Sequence, residues 1–328
     1  MELRILKGDM LCLVTASIWG FAFVAQRAGM EYVGPFIFNG VRFALGSMSL
    51  IPIILWRGKT GEQGAHDPSK GSLASLIRGG SLAGVVLFLG ASLQQVGLVY
   101  TTAGKAGFIT GLYVVIVPIL GVFFHQRTRG GTWIGAFIAA VGLYLLSVTG
   151  KLSISRGDFL ELIGAFFWAV HVLIIGWLSP RMCPLKLASF QFGTCALLSL
   201  ITAAWVEAVV WSGIVQAGIP ILYGGLCSVG VAYTLQVVAQ RHAKPAHAAI
   251  LLSLEAVFAA LGGWVILDEI LSYRGIIGCA LMLSGMLLSQ VSTHFSGDRR
   301  REGTRWLREG RSALENRDQG KGGTSPCP

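Results

Sequence analysis

Ten apolar runs, each about as long as a membrane-spanning helix, constrain this chain more than any other feature of its sequence. Crossing a bilayer core takes about 20 residues of helix, and the backbone N–H groups inside it must be bonded within the chain. Charged residues make up only 13% of the chain, against roughly 25% in ordinary soluble domains, which excludes a typical soluble enzyme. The runs are therefore predicted to be transmembrane helices. They cover residues 10–28, 36–56, 79–99, 104–124, 131–149, 158–178, 187–206, 217–239, 246–266 and 274–294.

The distribution of arginine and lysine predicts which way the helices point. With Arg42 inside a span and the tail after Ser296 set aside, the loops on the side of the N-terminus hold 12 basic residues and the opposite loops hold 5. Cytoplasmic loops carry such an excess, so both termini are predicted to lie in the cytoplasm and the protein in a bacterial cytoplasmic membrane. The net charge of +10 follows from this topology and indicates no nucleic acid. The basic tail, residues 296–328, is predicted to be disordered.

The second half of the chain resembles the first. Residues 8–19 (GDMLCLVTASIW) align with 157–168 (GDFLELIGAFFW) and are identical at six of twelve positions; the offset of 149 falls to 142 further along. Five spans in each copy make the two copies enter the membrane from opposite sides, the arrangement that secondary transporters use around a central binding site. The predicted fold class is an all-α polytopic membrane protein, with five-helix repeats at 1–150 and 151–295.

One carboxyl group lies close to the centre of a predicted span. Glu255 is in span nine, where a charge costs about 2.5–3.5 kcal/mol and therefore needs a reason. An acid that takes up and releases a proton there could couple transport to protons or bind substrate. The alternative is a structural carboxyl bonded to a neighbouring helix.

Three further polar residues lie within predicted spans. Arg42 in span two, one turn after Asn39, either extends its side chain to the outer surface or pairs with a carboxyl or an anionic substrate. His171 in span six either makes an interhelical hydrogen bond or relays protons with Glu255, since imidazole exchanges protons near neutral pH.

Aromatic and amide side chains occur at repeat-related positions within the predicted spans. Trp19 and Trp168 lie near the midplane, and the offset of 142 pairs Tyr113 with Glu255 and Gln94 with Gln236. Tryptophan normally lies at membrane interfaces, so an indole near the midplane indicates a polar cavity that accepts its N–H; core packing is the alternative. Pro118 is predicted to kink span four. No catalytic or metal-binding motif is present, and no enzyme activity, metal or cofactor is predicted. The predicted cavity residues are Trp19, Gln94, Tyr113, Trp168, Gln236 and Glu255.

The segment from 251 to 288 resembles the EamA domain of the drug/metabolite transporter superfamily. The resemblance rests on Leu254-Glu255 and Val257-Phe258-Ala259-Ala260 in one helix, Asp268-Glu269 after it, and a glycine-containing last helix. It covers about residues 8–295 and implies a ten-helix carrier of two inverted repeats that works by alternating access and exports small metabolites or drugs. It also implies that His171 lines the central cavity together with the six residues above.

The sequence thus predicts a secondary transporter for a small amphipathic or amino-acid-like molecule, with the proton as coupling ion. The predicted surroundings are membrane lipid, and the sequence does not decide between a monomer and a homodimer. An uncoupled facilitator or a nucleotide-sugar-like exchanger is the alternative within transport. A polytopic membrane enzyme or sensor is the alternative from another class; the dispersed acidic and histidine residues and the short tail speak against it.

Overall fold

The computed structural model describes residues 2–59, 73–123, 130–147, 155–241, 243–266, 273–285 and 287–288, and all regular structure in these ranges is helical. The loop between predicted spans two and three lies mostly outside the described residues, as does the tail. The helices are α1 (Glu2–Gly29), α2 (Pro35–Lys59), α3 (Leu73–Tyr100), α4 (Ala103–Gly111), α5 (Tyr113–Phe123), α6 (Gly130–Ser147), α7 (Arg156–Leu178), α8 (Pro184–Val206), α9 (Trp211–Gln216), α10 (Gly218–Leu222), α11 (Thr234–Ala239), α12 (Pro245–Leu252), α13 (Glu255–Ile266) and α14 (273–285).

Eight helical segments of the described chain are long and apolar enough to cross a membrane. They correspond to predicted spans one to four and six to nine; spans four and nine each combine two helices, α4 with α5 and α12 with α13. Predicted span five corresponds to a shorter apolar helix, Gly130–Leu145, and the described part of predicted span ten is α14. Ten spans and the orientation of the termini stay predictions.

The distribution of side chains is that of a protein embedded in lipid. Large apolar side chains face outwards: Trp205 is 85% exposed and Phe137 is 71% exposed. Polar side chains that a soluble protein would present to water are buried, among them Arg42, Gln191 and Glu161, at 1% exposure or less. Helices with an apolar outer surface and a polar interior fit a membrane protein with an internal functional site.

Predicted spans four and nine are broken at equivalent positions. The first break is at Leu112, between α4 and α5, and the second is at Ser253 and Leu254, between α12 and α13. The offset of 142 places Leu112 opposite Leu254, so the breaks are related by the internal repeat. Pro118 lies within α5, six residues after this break, and a kink at Pro118 itself stays a prediction. Broken helices expose backbone groups where transporters bind substrate.

Span eight contains a π-helical segment, Tyr223–Tyr233, between α10 and α11. Wider helical turns of this kind are rare and often occur at functional sites. The backbone of this segment lies close to α2 at Gly46, where an added Cβ would be 3.0 Å from the Gly225 carbonyl oxygen. The segment also lies against α1, and it carries Ser228 and Tyr233 towards the centre of the molecule.

Helices α6 and α14 contact each other through glycines. A Cβ added at Gly142 would be 2.5 Å from the Gly278 carbonyl oxygen and 2.8 Å from the Met282 amide nitrogen. A Cβ added at Gly285 would be 2.6 Å from the Gly135 carbonyl oxygen. Because backbone atoms cannot move aside cheaply, neither position has room for a side chain.

We therefore expect Gly142→Ala to destabilise the protein by about 1–3 kcal/mol, as overpacking does. The control is Gly130→Ala in the same helix, where no described atom lies within 4 Å of an added Cβ and alanine favours the helix. Thermal unfolding of the two purified variants in detergent measures the difference. Equal melting temperatures would show that the α6–α14 contact is not as tight as the structure has it.

Candidate substrate cavity

A cavity lies between the two halves of the chain; the space not filled by atoms in it and at its open side is about 420 Å³. Side chains from α1, α2, α3, α4, α5, α7, the π-helical segment, α11, α12 and α13 line it. The lining residues are Trp19, Phe23, Gln26, Arg42, Gln94, Thr110, Tyr113, Trp168, Val172, Ser228, Tyr233, Gln236, Leu252 and Glu255.

Three aromatic rings form one wall of the cavity. The ring of Tyr233 lies 4.4 Å from that of Trp19 and 6.0 Å from that of Trp168, stacked on the latter. The Trp19 indole N–H donates to the Ser228 carbonyl oxygen at 3.4 Å. The Trp168 indole nitrogen meets no acceptor in the described chain. The repeat-related tryptophans thus converge on a single tyrosine, whose position comes from the π-helical segment.

Amide side chains form a second part of the wall. Gln94 Nε2 donates to Gln26 Oε1 at 3.2 Å, and Gln26 Nε2 in turn donates to the Ala22 carbonyl oxygen at 3.1 Å. Gln236, which the repeat pairs with Gln94, is buried, and its Oε1 has no hydrogen-bond partner among the described residues. A buried amide oxygen of this kind is available to a donor on a bound molecule.

Glu255 and Tyr113, which the offset of 142 relates, both line the cavity. They are the first residues of α13 and α5, directly after the two breaks, and both side chains are buried. They interact electrostatically. By strict geometry, however, the Tyr113 hydroxyl and Glu255 Oε1 make no hydrogen bond within the described chain. No ion pair of the described residues involves Glu255.

Arg42 lies on the cavity wall, and its side chain is only 1% exposed. The interpretation that it extends to the outer surface is therefore wrong. Its Nε donates to Asn39 Oδ1 at 2.9 Å, and Asn39 Nδ2 donates to the Ala91 carbonyl oxygen at 3.0 Å. The guanidinium carbon lies 5.5 Å from the ring centre of Phe38 and 4.9 Å from that of Phe43. Asn39 and the two rings hold the guanidinium inside the bundle.

His171 is buried but does not belong to the cavity wall of the described chain. Its Nε2 is 2.9 Å from Gln191 Oε1, and its ring packs edge-on against Trp168 and Tyr233. The structure therefore places His171 behind the aromatic wall. There it makes an interhelical hydrogen bond, which is the first of the two interpretations given above. Its contacts in the described chain are with Gln191, Trp168 and Tyr233 and not with Glu255, so the relay stays a prediction.

All six residues predicted to line a cavity lie on this one, together with Arg42. Their part in binding stays a prediction. The sequence reasoning missed seven lining residues, three of which helical spacing could have found. Gln26 is seven residues after Trp19, Tyr233 three before Gln236, and Thr110 three before Tyr113, each on the same helix face or close to it. The other four are Phe23, Val172, Ser228 and Leu252.

Apolar outer surfaces, buried polar side chains and a central cavity define a polytopic helical membrane protein built around an internal site. The sequence profile of the EamA-like transporter family matches residues 6–148 and again 155–290. The chain belongs to this family.

Relatives across two domains of life agree with that assignment. An uncharacterized transporter of Archaeoglobus fulgidus is 30% identical over 285 residues, which span 86% of this chain and 85% of the relative. The uncharacterized transporter YoaV of Bacillus subtilis is 23% identical over 83% of this chain and 92% of its own length. One protein of known crystal structure superimposes with a TM-score of 0.69 over 87% of this chain and 96% of its own, at 16% identity, and shows the fold alone. The names of these relatives and of the family indicate a membrane transporter.

Proposed function

We propose that this protein exports small amphipathic or amino-acid-like metabolites across the cytoplasmic membrane in exchange for protons. The observation that carries the proposal is the buried carboxyl of Glu255 on the cavity wall, 3% exposed and without an ion-pair partner among the described residues. A buried carboxylate without a positive partner is costly. Glu255 is stable in the cavity when it carries a proton or when it contacts a positive group of the substrate. Because proton and substrate compete for this carboxyl, the release of one is coupled to the binding of the other.

The guanidinium on the cavity wall supports a substrate that bears an acidic group. Among the described residues, the Arg42 guanidinium meets one hydrogen-bond acceptor, Asn39 Oδ1, and no carboxylate. The rings of Trp19, Trp168 and Tyr233 line the same cavity as Arg42 and Glu255. An arginine fork matches a carboxylate, and aromatic rings suit an apolar body. A small amphipathic molecule with a carboxylate for Arg42 and a positive group for Glu255, as in an amino-acid-like metabolite, fits this arrangement.

Two ion pairs related by the repeat support alternating access. Asp9 Oδ1 is 3.0 Å from His247 Nε2, and Lys105 Nζ is 2.5 Å from Asp158 Oδ2. The offset of 149 relates Asp9 to Asp158, and the offset of 142 relates Lys105 to His247. Each pair joins the start of the first helix of one repeat to the fourth span of the other. An inverted repeat places equivalent contacts at opposite ends of the molecule, as two alternately opened entrances require.

Comparison of metabolites in medium and cytosol, with and without expression, tests the proposal and supplies the substrate. We expect a small amphipathic metabolite with an acidic group to move into the medium. Inside-out vesicles should then accumulate it under an imposed pH gradient, and an uncoupler should stop the accumulation. Vesicles without the protein are the control. Accumulation that is unchanged by the uncoupler would favour the uncoupled facilitator or the exchanger instead.

A further inference from the structure

A second carboxyl, Glu161 on α7, is completely buried close to the cavity. Thr110 Oγ1 donates to its Oε2 at 3.1 Å, and its Oε1 has no partner among the described residues. The backbone of α3 closes against it, because a Cβ added at Gly97 would be 2.9 Å from Oε1. Neither the aromatic wall nor the amide pair involves this acid, so it needs a role of its own.

Glu161 lies between the Lys105–Asp158 pair, which marks one of the two proposed entrances, and the cavity. One helical turn away on α7, Asp158 accepts from Thr101 Oγ1 at 2.9 Å and pairs with Lys105, whose side chain is 39% exposed. On the other side, Thr110 lines the cavity that holds Glu255. The electrostatic partners of Glu161 are Asp158 on its own helix and Glu255 on α13. The other titratable groups on helices packed against α7 are Arg78 and Tyr100 on α3, Lys105 on α4, Tyr113 on α5 and His247 on α12, with Arg181 in the turn that follows α7.

The opposite entrance has no equivalent of this polar step. The repeat relates Glu161 to Cys12 and Thr110 to Leu252. Both Cys12 and Leu252 are fully buried. At the Lys105–Asp158 entrance, the carboxyl of Glu161 and the hydroxyl of Thr110 lie between the pair and the cavity. At the Asp9–His247 entrance, the thiol of Cys12 and the isobutyl group of Leu252 occupy the equivalent positions.

We propose that Glu161 and Thr110 form a one-sided proton route between the Lys105–Asp158 entrance and Glu255. The inference rests on the proton exchange proposed above. Glu161 in its acid form gives its proton to the Thr110 hydroxyl oxygen, and that hydroxyl passes its own proton into the cavity, where the Glu255 carboxylate takes it. The Glu161 carboxylate left behind is protonated again from the entrance, so no other reactant is needed.

The predicted topology gives this route a direction. With both termini in the cytoplasm, the Lys105–Asp158 entrance faces outwards and the Asp9–His247 entrance faces the cytoplasm. Protons moving down their gradient would reach Glu255 from outside, while the substrate leaves by the same side. A route on the outer side alone suits an exporter.

A sided acid jump tests the route with the proton itself as probe. The full chain is reconstituted with uniform orientation in sealed vesicles, and the carbonyl stretch of protonated carboxyl groups is followed by time-resolved infrared spectroscopy. The band that disappears in Glu255→Gln reports Glu255. We expect Glu161→Gln to slow protonation of Glu255 by about 100-fold, the lower end of what a positioned acid–base group contributes. The slowing should appear only when acid is added on the Lys105–Asp158 side, and the final extent of protonation should not change.

Two further variants keep the test decisive. Thr110→Val removes the hydroxyl at nearly constant shape and should slow the same step, and it decides the matter if Glu161→Gln does not fold. Cys12→Ala, at the repeat-related position, should keep the rate of the unmodified protein from both sides. An unchanged rate in Glu161→Gln or Thr110→Val would overturn the route. Absence of any Glu255 band in the unmodified protein would instead overturn the proton exchange itself.

Discussion

Glu255→Gln is expected to abolish proton-driven export while leaving the protein folded in the membrane. Glutamine keeps the shape of the side chain but cannot gain or lose a proton, so the cavity can no longer exchange a proton for substrate. A group that transfers protons typically contributes about 100-fold or more to a rate. Uptake of the identified metabolite into inside-out vesicles under a pH gradient should fall to the level of vesicles without the protein.

Glu207→Gln provides the matched control, because the same carboxyl-to-amide change is made outside the cavity. The Glu207 carboxylate caps α2 by accepting from the backbone N–H groups of Phe36 at 2.9 Å and Ile37 at 2.8 Å. An amide oxygen can still accept one of these bonds, so this variant should transport almost normally. Export by Glu255→Gln at the unmodified rate would show that another group carries the proton.

Hydropathy predicted the helices well because in lipid the chain has few alternatives. Long apolar runs must form helices there, and eight of the predicted spans have described helices of sufficient length and apolar character. Hydropathy could not predict where spans four and nine break. The runs stay apolar through Leu112 and Ser253, so hydropathy carries no signal there, and Pro118 lies within α5 rather than at the break.

The cavity was predictable in part, for a similar reason. A polar or aromatic side chain at mid-span must find a polar surrounding, so Trp19, Trp168 and Glu255 could be chosen from depth, whereas Gln94 could be chosen because the repeat pairs it with Gln236. Depth misplaced Arg42, because its inward direction depends on Asn39 and on two phenylalanine rings. Glu161 was missed because it is the fourth residue of its predicted span, a position at which a carboxyl group is expected to lie at the membrane interface. In the structure its side chain is completely buried.

Breaking one of the two repeat-related ion pairs should bias the protein towards opening at that end. The Lys105–Asp158 and Asp9–His247 pairs each join elements of both repeats, so under the proposed alternating access each would stabilise closure of its own entrance. A loss of about 1.4 kcal/mol on one side would change the ratio of the two states about tenfold. We expect Asp158→Asn to favour the state open at the Lys105 side and Asp9→Asn to favour the opposite state.

A cysteine within the cavity can report both states. Ser228→Cys, in a chain whose native cysteines are replaced, places a thiol on the cavity wall at nearly constant size. A membrane-impermeant maleimide is then applied from either side. Asp158→Asn should raise labelling about tenfold from the Lys105 side relative to the other side, and Asp9→Asn should reverse the ratio. Because the two substitutions are identical in chemistry and equivalent in the repeat, each is the control for the other. If both variants raised labelling equally from the two sides, alternating closure would be contradicted. A general loosening of the helix bundle would increase access from both sides alike.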